Sequence, residues 1–175
     1  MDGIICYIGF GSNLGDSLKK CKQAIGFISR IKGVELKTVS SFYKTEPVGI
    51  KKQNSFINAV AEIKTALSPI SLFRELQSIE NEMGREREVK GGPRIIDLDL
   101  LFFGQNVIKE ENLIIPHPEI HKRRFVLEPL CEIASFFIHP SYGVSIRGLK
   151  DRLKDNKIVE KIKAQAEKYP QGGNW

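Results

Sequence analysis

The 175-residue sequence predicts an α+β fold whose core has the element order β-α-β-β-α-β. Two observations support this prediction. Strand-like runs of apolar and β-branched residues occur at 4–12, 34–45, 55–65 and 94–103, and two segments with helical spacing separate them. This order is typical of the ferredoxin-like arrangement, an antiparallel sheet with two helices on one face. After Gly104 the pattern predicts an extension by a hairpin or loop region and further helices.

The two core helices are predicted from apolar spacing and from the residues at their ends. The first begins near Leu14, where apolar residues start to recur every three or four positions, and it ends at Gly33. The second begins at Ser68 and Pro69, because serine is a favourable N-cap and proline fits the first helical position. It ends at Gly84, since glycine favours the backbone conformation that stops a helix.

The last third of the chain has a less regular pattern. Residues 106–134 predict a short strand or hairpin, then a loop bounded by prolines and a short helix. Residues 145–170 have the charged pattern of an amphipathic C-terminal helix. The sequence contains no internal repeat and no low-complexity linker, so we expect a single domain over residues 1–175.

The composition is that of a globular protein, with 41% apolar and 27% charged residues. The longest apolar runs are far shorter than the roughly 20 residues that span a bilayer. The first residues lack a basic segment and a cleavage site, so we expect a cytoplasmic protein. The three cysteines lie apart without zinc-site spacing, which predicts free thiols. A net charge of +6 favours a polyanionic ligand, whether nucleic acid, a nucleotide triphosphate or an acidic metabolite.

The stretch "GGPRIIDLDLLFFG" places two aspartates inside a strand-like apolar run. Residues two apart on a strand point to the same face, so Asp97 and Asp99 project together, about 7 Å apart at Cα. Ile96, Leu98 and Leu100 then face the core. Two carboxylates this close repel each other unless a cation lies between them. A divalent ion such as Mg²⁺ suits these oxygen ligands, and a solvated pair bound by neighbouring arginines is the alternative.

A basic loop precedes this strand. Arg85, Arg87 and Arg94 lie close to the aspartates in sequence, and phosphoryl transfer requires metal ions together with such guanidinium groups. Two glycines and a proline in "GREREVKGGPR" predict a hinged flap that excludes water from a phosphate chain. A mobile solvated loop has the same composition and is the alternative.

Three further stretches are candidates for ligand contacts. "PHPEIHKRRF" brings two histidines together with a lysine and two arginines, a set that could form a triphosphate clamp. "FIN" places Phe56 and Asn58 on one strand face, where they could stack on and bond a flat heterocycle; a core aromatic beside a turn-capping amide is the alternative. "GFGSNLGD" matches no glycine motif for phosphate, so we interpret Gly9, Gly11 and Gly15 as residues needed for backbone geometry.

Taken together, these stretches closely resemble one family, the 6-hydroxymethyl-7,8-dihydropterin pyrophosphokinases of folate biosynthesis. The matching stretches follow the family's order over roughly residues 4–135: "GFGSNLGD", "SSFYKTEPVG", "FINAV", "GRER", "GPRIIDLDLLFFG" and "IPHPEIHKRRFVLEPLCEIA". The run "GPRIIDLDLLFFG" followed by "PHP" and "RRFVLEPL" is highly specific to this family.

The resemblance implies the transfer of pyrophosphate from ATP to the hydroxymethyl group of the pterin, with release of AMP. Asp97 and Asp99 would hold two Mg²⁺ ions that bridge the phosphates, and the pterin hydroxyl would attack the β-phosphorus. Arg85 and Arg94 would contact the transferred group and the departing charge. We therefore expect ATP and the reduced pterin as ligands, no nucleic acid or membrane partner, and a monomer.

The same resemblance assigns the other site residues. The pterin pocket would consist of Thr45, Val48, Phe56, Asn58 and Phe125, with the two phenylalanines on opposite faces of the ring. ATP would be held by Gln77, Glu80, Arg87, Leu100, His117 and Arg123. Phe56 stands where many members have tyrosine, and Gly91 stands where some members have a tryptophan in the loop.

Two alternatives belong to other functional classes. The RNA-recognition motif shares the β-α-β-β-α-β order, but its third strand carries an aromatic pair that "SFINAVAEI" lacks. An aspartate pair without metal would also repel RNA phosphates. A catalytically inactive relative with a structural role is disfavoured, because both aspartates and the arginines are present.

Overall fold

The computed structural model describes residues 2–49, 52–84 and 92–162. Its first half contains β1 (Ile4–Ser12), α1 (Ser17–Ile28), β2 (Val34–Val39), β3 (Tyr43–Thr45), β4 (Phe56–Thr65) and α2 (Pro69–Glu82). Its second half contains β5 (Asp97–Phe103), β6 (Ile108–Glu110), β7 (Leu113–Ile115), a 3-10 turn (Ile120–Lys122), α3 (Arg124–Ala134), α4 (Ile146–Arg152) and β8 (Val159–Lys161).

The described part of the chain contains one six-stranded antiparallel sheet in the order β5-β1-β4-β3-β8, with β2 also paired to β4. The strands β6 and β7 form a separate hairpin. The predicted β-α-β-β-α-β core and the predicted hairpin are both confirmed. None of the described helices is long and apolar enough to cross a membrane.

The two faces of the sheet carry separate cores, because side chains alternate along each strand. On β1, Cys6 and Ile8 pack against α1 and α2, whereas Tyr7 packs with α3 and α4 on the other face. Burying one large side chain such as Phe102 stabilises the fold by about 1.5–3 kcal/mol. The C-terminal helices therefore add a third layer to the predicted sheet and its two helices.

The cysteines are free thiols, as predicted. Burial raises the pKa of Cys6 and of Cys21 to about 12, so both thiols are protonated at neutral pH. Cys131 is partly exposed on α3, and burial raises its pKa as well. The cysteines described here act as small apolar packing residues.

The strand predicted over residues 34–45 is broken into two. The backbone N–H of Ser40 donates to the Val60 carbonyl at 2.8 Å, and its hydroxyl accepts from the Val60 N–H at 2.9 Å. Ser40 thus pairs with both the backbone N–H and the backbone carbonyl of Val60, so no other strand residue can pair with Val60 on that side. The chain bends at this point, and both β2 and β3 pair with β4 on either side of the bend.

The first core helix begins later and ends earlier than its apolar pattern indicates. Asp16 is the N-cap of α1, because its side chain accepts a hydrogen bond from the Lys19 N–H. The helix ends at Ile28, and Gly33 lies beyond it in a left-handed conformation with φ of +82°. The predicted start of α2 is confirmed: Ser68 caps Pro69, the first helical residue.

The predicted C-terminal helix over residues 145–170 is confirmed only in its first part, as α4 (Ile146–Arg152), and is wrong for residues 153–162. The helix α4 ends at Arg152, and the Asp155 side chain accepts from the Lys157 N–H at 3.0 Å. Such local bonds let aspartate compete with helical hydrogen bonding. The edge of β3 then pairs with β8, and the Ile162 N–H donates to a carbonyl next to β3. Residues 163–170 lie outside the described part of the chain.

Candidate active site

A cavity of about 460 Å³ opens on the side of the sheet that carries α3. It lies where the ends of β1, β4 and β5 meet the start of α3. The structure brings together at this cavity most of the side chains that the sequence assigned to a site: Thr45, Val48, Phe56, Asn58, Arg94, Asp97, Asp99, His117, Arg123 and Phe125.

The two aspartates at the cavity confirm the predicted alternation of β5. Asp97 and Asp99 are partly exposed at the cavity, whereas Leu98 and Leu100 are only 5% exposed on the opposite face. Their neighbours on β1 are Gly11 and Gly9, which bring no side chain into the space beside the carboxylates. The charged pair therefore has an open, solvated side, and the cost of burying two carboxylates does not arise.

Arg94 occupies the position next to this pair. Its Nη1 donates to Asp97 Oδ2 at 2.5 Å, which matches the arginine-bound alternative at one of the two carboxylates. The backbone of Arg94 is fixed by the buried Asn13, whose Oδ1 accepts from the Arg94 N–H at 2.7 Å and whose N–H donates to the Arg94 carbonyl at 3.0 Å. No sequence signal pointed to Asn13, because an asparagine after a glycine-rich strand is equally typical of a turn.

The aromatic end of the cavity is formed around Asn58. Its Nδ2 donates to Thr45 Oγ1 at 2.6 Å, which fixes the orientation of the amide in this hydrogen-bond network. A Cβ at Gly11 would lie only 2.9 Å from Asn58 Oδ1, so this position on β1 must lack a side chain. Phe56 is paired with Thr45 across β4 and β3, and it lines the same space.

His117, Arg123 and Phe125 approach the cavity from the chain around the start of α3. His117 Nδ1 accepts from the Glu119 N–H at 3.2 Å, so a neutral ring carries its proton on Nε2. Burial lowers the pKa of His117, while the negative charge of Asp99 acts in the opposite direction. The Arg123 guanidinium lies 5.7 Å from the centre of the Phe125 ring, within the range of a cation–π contact.

Several assigned residues lie elsewhere. Glu80 is only 6% exposed, and its Oε1 accepts a hydrogen bond from the Leu98 N–H at 2.8 Å, between the two aspartates on β5. Gln77 is exposed on α2, and the Leu100 side chain is in the core, so only its backbone could contact a ligand at this site. Arg85 and Arg87 lie outside the described residues.

The sequence-based interpretation of Gly9 and Gly11 as residues needed for backbone geometry is wrong. Both lie within β1, and of these three glycines Gly15 alone has a positive φ, of +65°. Their role is to keep one face of the strand bare at the cavity. The signal was available, because glycines at alternate positions leave one strand face without side chains.

The cavity joins an acidic and basic end suited to a phosphate chain with an aromatic end suited to a flat ring. This combination fits a transferase that acts on a nucleotide and a heterocyclic acceptor. Residues 7–135 match the family model described as 7,8-dihydro-6-hydroxymethylpterin-pyrophosphokinase (HPPK), and the chain belongs to this family of enzymes.

Individual relatives agree with the family match. The chain is 43% identical to the 2-amino-4-hydroxy-6-hydroxymethyldihydropteridine pyrophosphokinase of Haemophilus influenzae, over 90% of this chain and 98% of that protein. It is 42% identical to the folic acid synthesis protein fol1 of Pneumocystis carinii, over 90% of this chain but only 21% of that longer protein.

A solved structure shares the fold. The crystal structure of a Plasmodium falciparum HPPK-DHPS triple mutant superposes with a TM-score of 0.71 at 17% identity. The match covers 86% of this chain and 44% of the solved chain. At this identity the similarity supports the fold alone, an α+β HPPK domain.

Proposed function

We propose that this chain transfers pyrophosphate from ATP to the hydroxymethyl group of 6-hydroxymethyl-7,8-dihydropterin, in folate biosynthesis, and releases AMP. The family match and the named relatives support the reaction. The observation that carries the assignment to this cavity is the meeting of the Asp97–Asp99 pair with the two phenylalanines, Phe56 and Phe125, at one cavity.

Asp97 and Asp99 fit a magnesium site that is shared with the substrate. The described residues contain no group of three or more His, Cys, Asp or Glu side chains that could hold a metal. Two carboxylates with an open side suit Mg²⁺, which keeps several other ligands and prefers phosphate oxygens and water. We propose two Mg²⁺ ions at this pair; when bound, they would neutralise the phosphate oxygens and polarise the transferred group.

The basic residues orient the phosphate chain. Arg94 is held at the aspartates by its backbone bonds to Asn13, so its guanidinium can exchange Asp97 for a phosphate oxygen without movement of the main chain. His117 presents its Nε2–H as a donor, and Arg123 adds a second guanidinium at the same cavity. We assign the same task to Arg85 and Arg87 from the family resemblance.

The pterin occupies the aromatic end of the cavity in this proposal. Phe56 and Phe125 stack on the two faces of the ring. Asn58 and Thr45 bond its polar edge, and the backbone around Val48 closes the pocket. With Nδ2 bound to Thr45, the Asn58 amide has a defined polarity, which discriminates between heterocycles with different donor and acceptor patterns.

The three residues outside the cavity receive separate roles. Leu100 contacts ATP through its backbone, which points to the same edge of β5 as the backbone of Leu98. Gln77 contacts ATP from the exposed side of α2. Glu80 supports the metal site by holding Leu98, rather than by touching ATP.

We also propose that the protein acts as a cytoplasmic monomer on these small molecules and binds no nucleic acid. The free cysteines favour a reducing compartment. A cavity of about 460 Å³ matches small ligands.

The test of this function is an assay of the purified chain with ATP, Mg²⁺ and the reduced pterin. We expect AMP and the pterin diphosphate in equal amounts. ADP as the product would indicate transfer of a single phosphoryl group, and absence of any pterin-dependent AMP would contradict the proposal.

A further inference from the structure

A carboxylate outside the cavity joins α3 to the sheet. Glu132 lies in the last turn of α3, and its Oε1 accepts from the Ser41 backbone N–H at 3.0 Å and from the Ser41 hydroxyl at 2.8 Å. Its Oε2 accepts from the Tyr43 hydroxyl at 2.5 Å. Lys161 of β8 places its Nζ 3.7 Å from the same carboxylate. One side chain thus binds the bend before β3, the strand β3 itself and the neighbouring strand β8.

Glu132 and its partner Tyr43 each lie on the same face of their element as a residue of the proposed pterin pocket, Glu132 on α3 and Tyr43 on β3. Along α3, Glu132 follows Phe125 by seven residues, so both side chains leave the same helix face about 10 Å apart along the axis. Along β3, Tyr43 precedes Thr45 by two residues, so both side chains point to the same face of the sheet. The contact therefore joins the helix that carries Phe125 to the strand that carries Thr45.

The opposite wall of the pocket is attached to the same strand. Phe56 pairs directly with Thr45, and Asn58 pairs directly with Tyr43, in the register of β3 and β4. The distance between the two aromatic walls is therefore the distance between α3 and the β3–β4 pair. A ring that stacks between two walls is sensitive to that distance, because dispersion attraction falls steeply once a gap opens.

Apolar packing restrains this distance less sharply than hydrogen bonds do. Val126 of α3 and Val60 of β4 belong to the same apolar cluster, but apolar contacts have no preferred direction. Hydrogen bonds act only over a narrow range of length and angle. The Glu132 carboxylate supplies three of them, all charge-assisted, at the end of α3 remote from Phe125.

We propose that Glu132 is a positioning residue for pterin binding: by holding Ser41 and Tyr43, its carboxylate sets the spacing between the Phe125 wall and the strand pair that carries Thr45 and Phe56. This inference rests on the proposed assignment of the pterin to this cavity. Glu132 does not line the cavity, so it acts only through the elements that it joins.

The test compares two tyrosines that each donate to a glutamate. Tyr43→Phe removes the bond to Glu132 and keeps the buried ring, which is 8% exposed. Tyr7→Phe is the matched control, because Tyr7 is 5% exposed and its hydroxyl donates to Glu62 at 2.9 Å away from the cavity. Glu132→Gln keeps the shape of the side chain and removes its charge, and Phe125→Ala removes the wall itself.

For each variant, KM for the reduced pterin, KM for ATP and kcat are measured in the AMP assay, with thermal unfolding alongside. We expect Tyr43→Phe and Glu132→Gln to raise the pterin KM roughly five- to tenfold, a part of what hydrogen bonds to a charged acceptor contribute. In the same two variants, the ATP KM and kcat should stay within about twofold of the wild-type values. The control Tyr7→Phe should change neither KM, although it also loses one hydrogen bond and a similar amount of stability.

Two results would overturn the inference while leaving the function intact. One is a Tyr43→Phe enzyme that behaves like Tyr7→Phe, with an unchanged pterin KM. The other is an equal rise in both KM values, which would mean general loosening rather than control of the pterin gap. A Phe125→Ala enzyme with an unchanged pterin KM would instead show that the pterin binds elsewhere, and the proposed pocket would fall together with the inference.

Discussion

From Asp97 to Leu100, successive side chains alternate between the cavity and the apolar core. Asp97 and Asp99 face the cavity, and Leu98 and Leu100 face the core beneath α1 and α2. The backbone of Leu98 is in turn held by the buried carboxylate of Glu80. Each of these residues therefore has one task, and substitutions at neighbouring positions should affect different properties of the protein.

The first prediction concerns the aspartates. Asp97→Ala and Asp99→Ala should each lower turnover by about three orders of magnitude, about 4 kcal/mol at 1.36 kcal/mol per decade, because the phosphate charge loses its metal-binding partner. Turnover is measured as AMP release at saturating ATP, Mg²⁺ and pterin. The unfolding midpoint should change little, since relief of the repulsion between two like charges offsets the loss of the Arg94 ion pair at Asp97. Glu110→Ala, an acid on β6 outside the cavity, is the control; near-normal turnover of Asp97→Ala would contradict the metal assignment.

The second prediction concerns the bare face of β1. Gly11→Ala places a Cβ 2.9 Å from Asn58 Oδ1, a distance that forces the amide to move away from Thr45. We expect a rise of roughly tenfold or more in the pterin KM, the scale of one lost hydrogen bond. Gly26→Ala in α1 meets no atom within 4 Å and should keep wild-type kinetics with equal or higher stability. An unchanged pterin KM in Gly11→Ala would show that the amide has no part in recognition.

Among the elements, α3 connects the most parts of the site. Arg123 is its N-cap residue, Phe125 lies in its first turn and Glu132 lies in its last turn. Glu128, between them, binds Arg124 on the same helix and Lys150 on α4. A single helix of 11 residues thus contacts the cavity, the sheet and α4.

The third prediction concerns the pH dependence of stability through α3. Burial alone would raise the pKa of Glu132, but hydrogen bonds from Tyr43 and Ser41 outweigh it and hold that pKa below its ordinary value of 4.5. A lowered folded-state pKa means that the ionised carboxylate stabilises the fold fully at pH values above 4.5. This contribution is lost as the pH falls below that value and through the folded-state pKa.

The measurement is the free energy of unfolding in urea for the wild type and Glu132→Gln between pH 7 and pH 3. The difference between the two proteins should be largest near neutral pH and should shrink below 4.5, the ordinary pKa of the group. Glu35→Gln, which removes a surface pair with Lys37, serves as the control and should show little difference at any pH. A difference that stays constant from pH 7 to pH 3 would show that the stabilisation does not depend on ionisation of Glu132, and would contradict the prediction.

Where an element follows from local periodicity, the sequence was sufficient to predict it. The apolar spacing of α1 and α2 and the alternation of Asp97 to Leu100 each depend on neighbouring residues only. The bend at Ser40 could not be predicted, because it depends on which backbone groups of β4 lie opposite. The strand β8 was mistaken for helix for the same reason, since its pairing partner is β3, more than a hundred residues away in sequence.

The site residues also divide into those that local sequence reveals and those that depend on partners distant in sequence. Asp97, Asp99, Phe56 and Asn58 were found from strand alternation or from the family resemblance. Glu132 was not, because nothing near it in sequence distinguishes it from an exposed helical acid. Its partners lie about 90 residues away in sequence, and only the packing of α3 on the sheet brings them together.

At the scale of the whole molecule, the described residues form three layers, and the chain carries an excess of basic residues. The net charge is +6 at pH 7, and Arg94 and Arg123 place two guanidinium groups at the cavity. Such a field attracts a polyanion over distances longer than any single contact, and salt screens it. ATP is a polyanion and the pterin is uncharged, so the two substrates should respond differently to ionic strength.

The fourth prediction follows from this difference. Raising the salt concentration from about 50 mM to about 500 mM should raise the KM for ATP several-fold, because the Debye length shrinks to a few Å. The KM for the pterin should change little, which makes it an internal control in the same assay. A parallel rise of both values would point to a change in the fold rather than to charge attraction, and no change in either would remove the electrostatic argument.

The two-sided sheet also bears on how this enzyme can be engineered. Laboratory selection for heat resistance often lowers activity, because the same residues serve both properties. Here none of the described side chains of α1 and α2 lines the cavity. A library of substitutions confined to α1, which unlike α2 carries none of the assigned site residues, can therefore search for a higher melting temperature while leaving the catalytic machinery untouched.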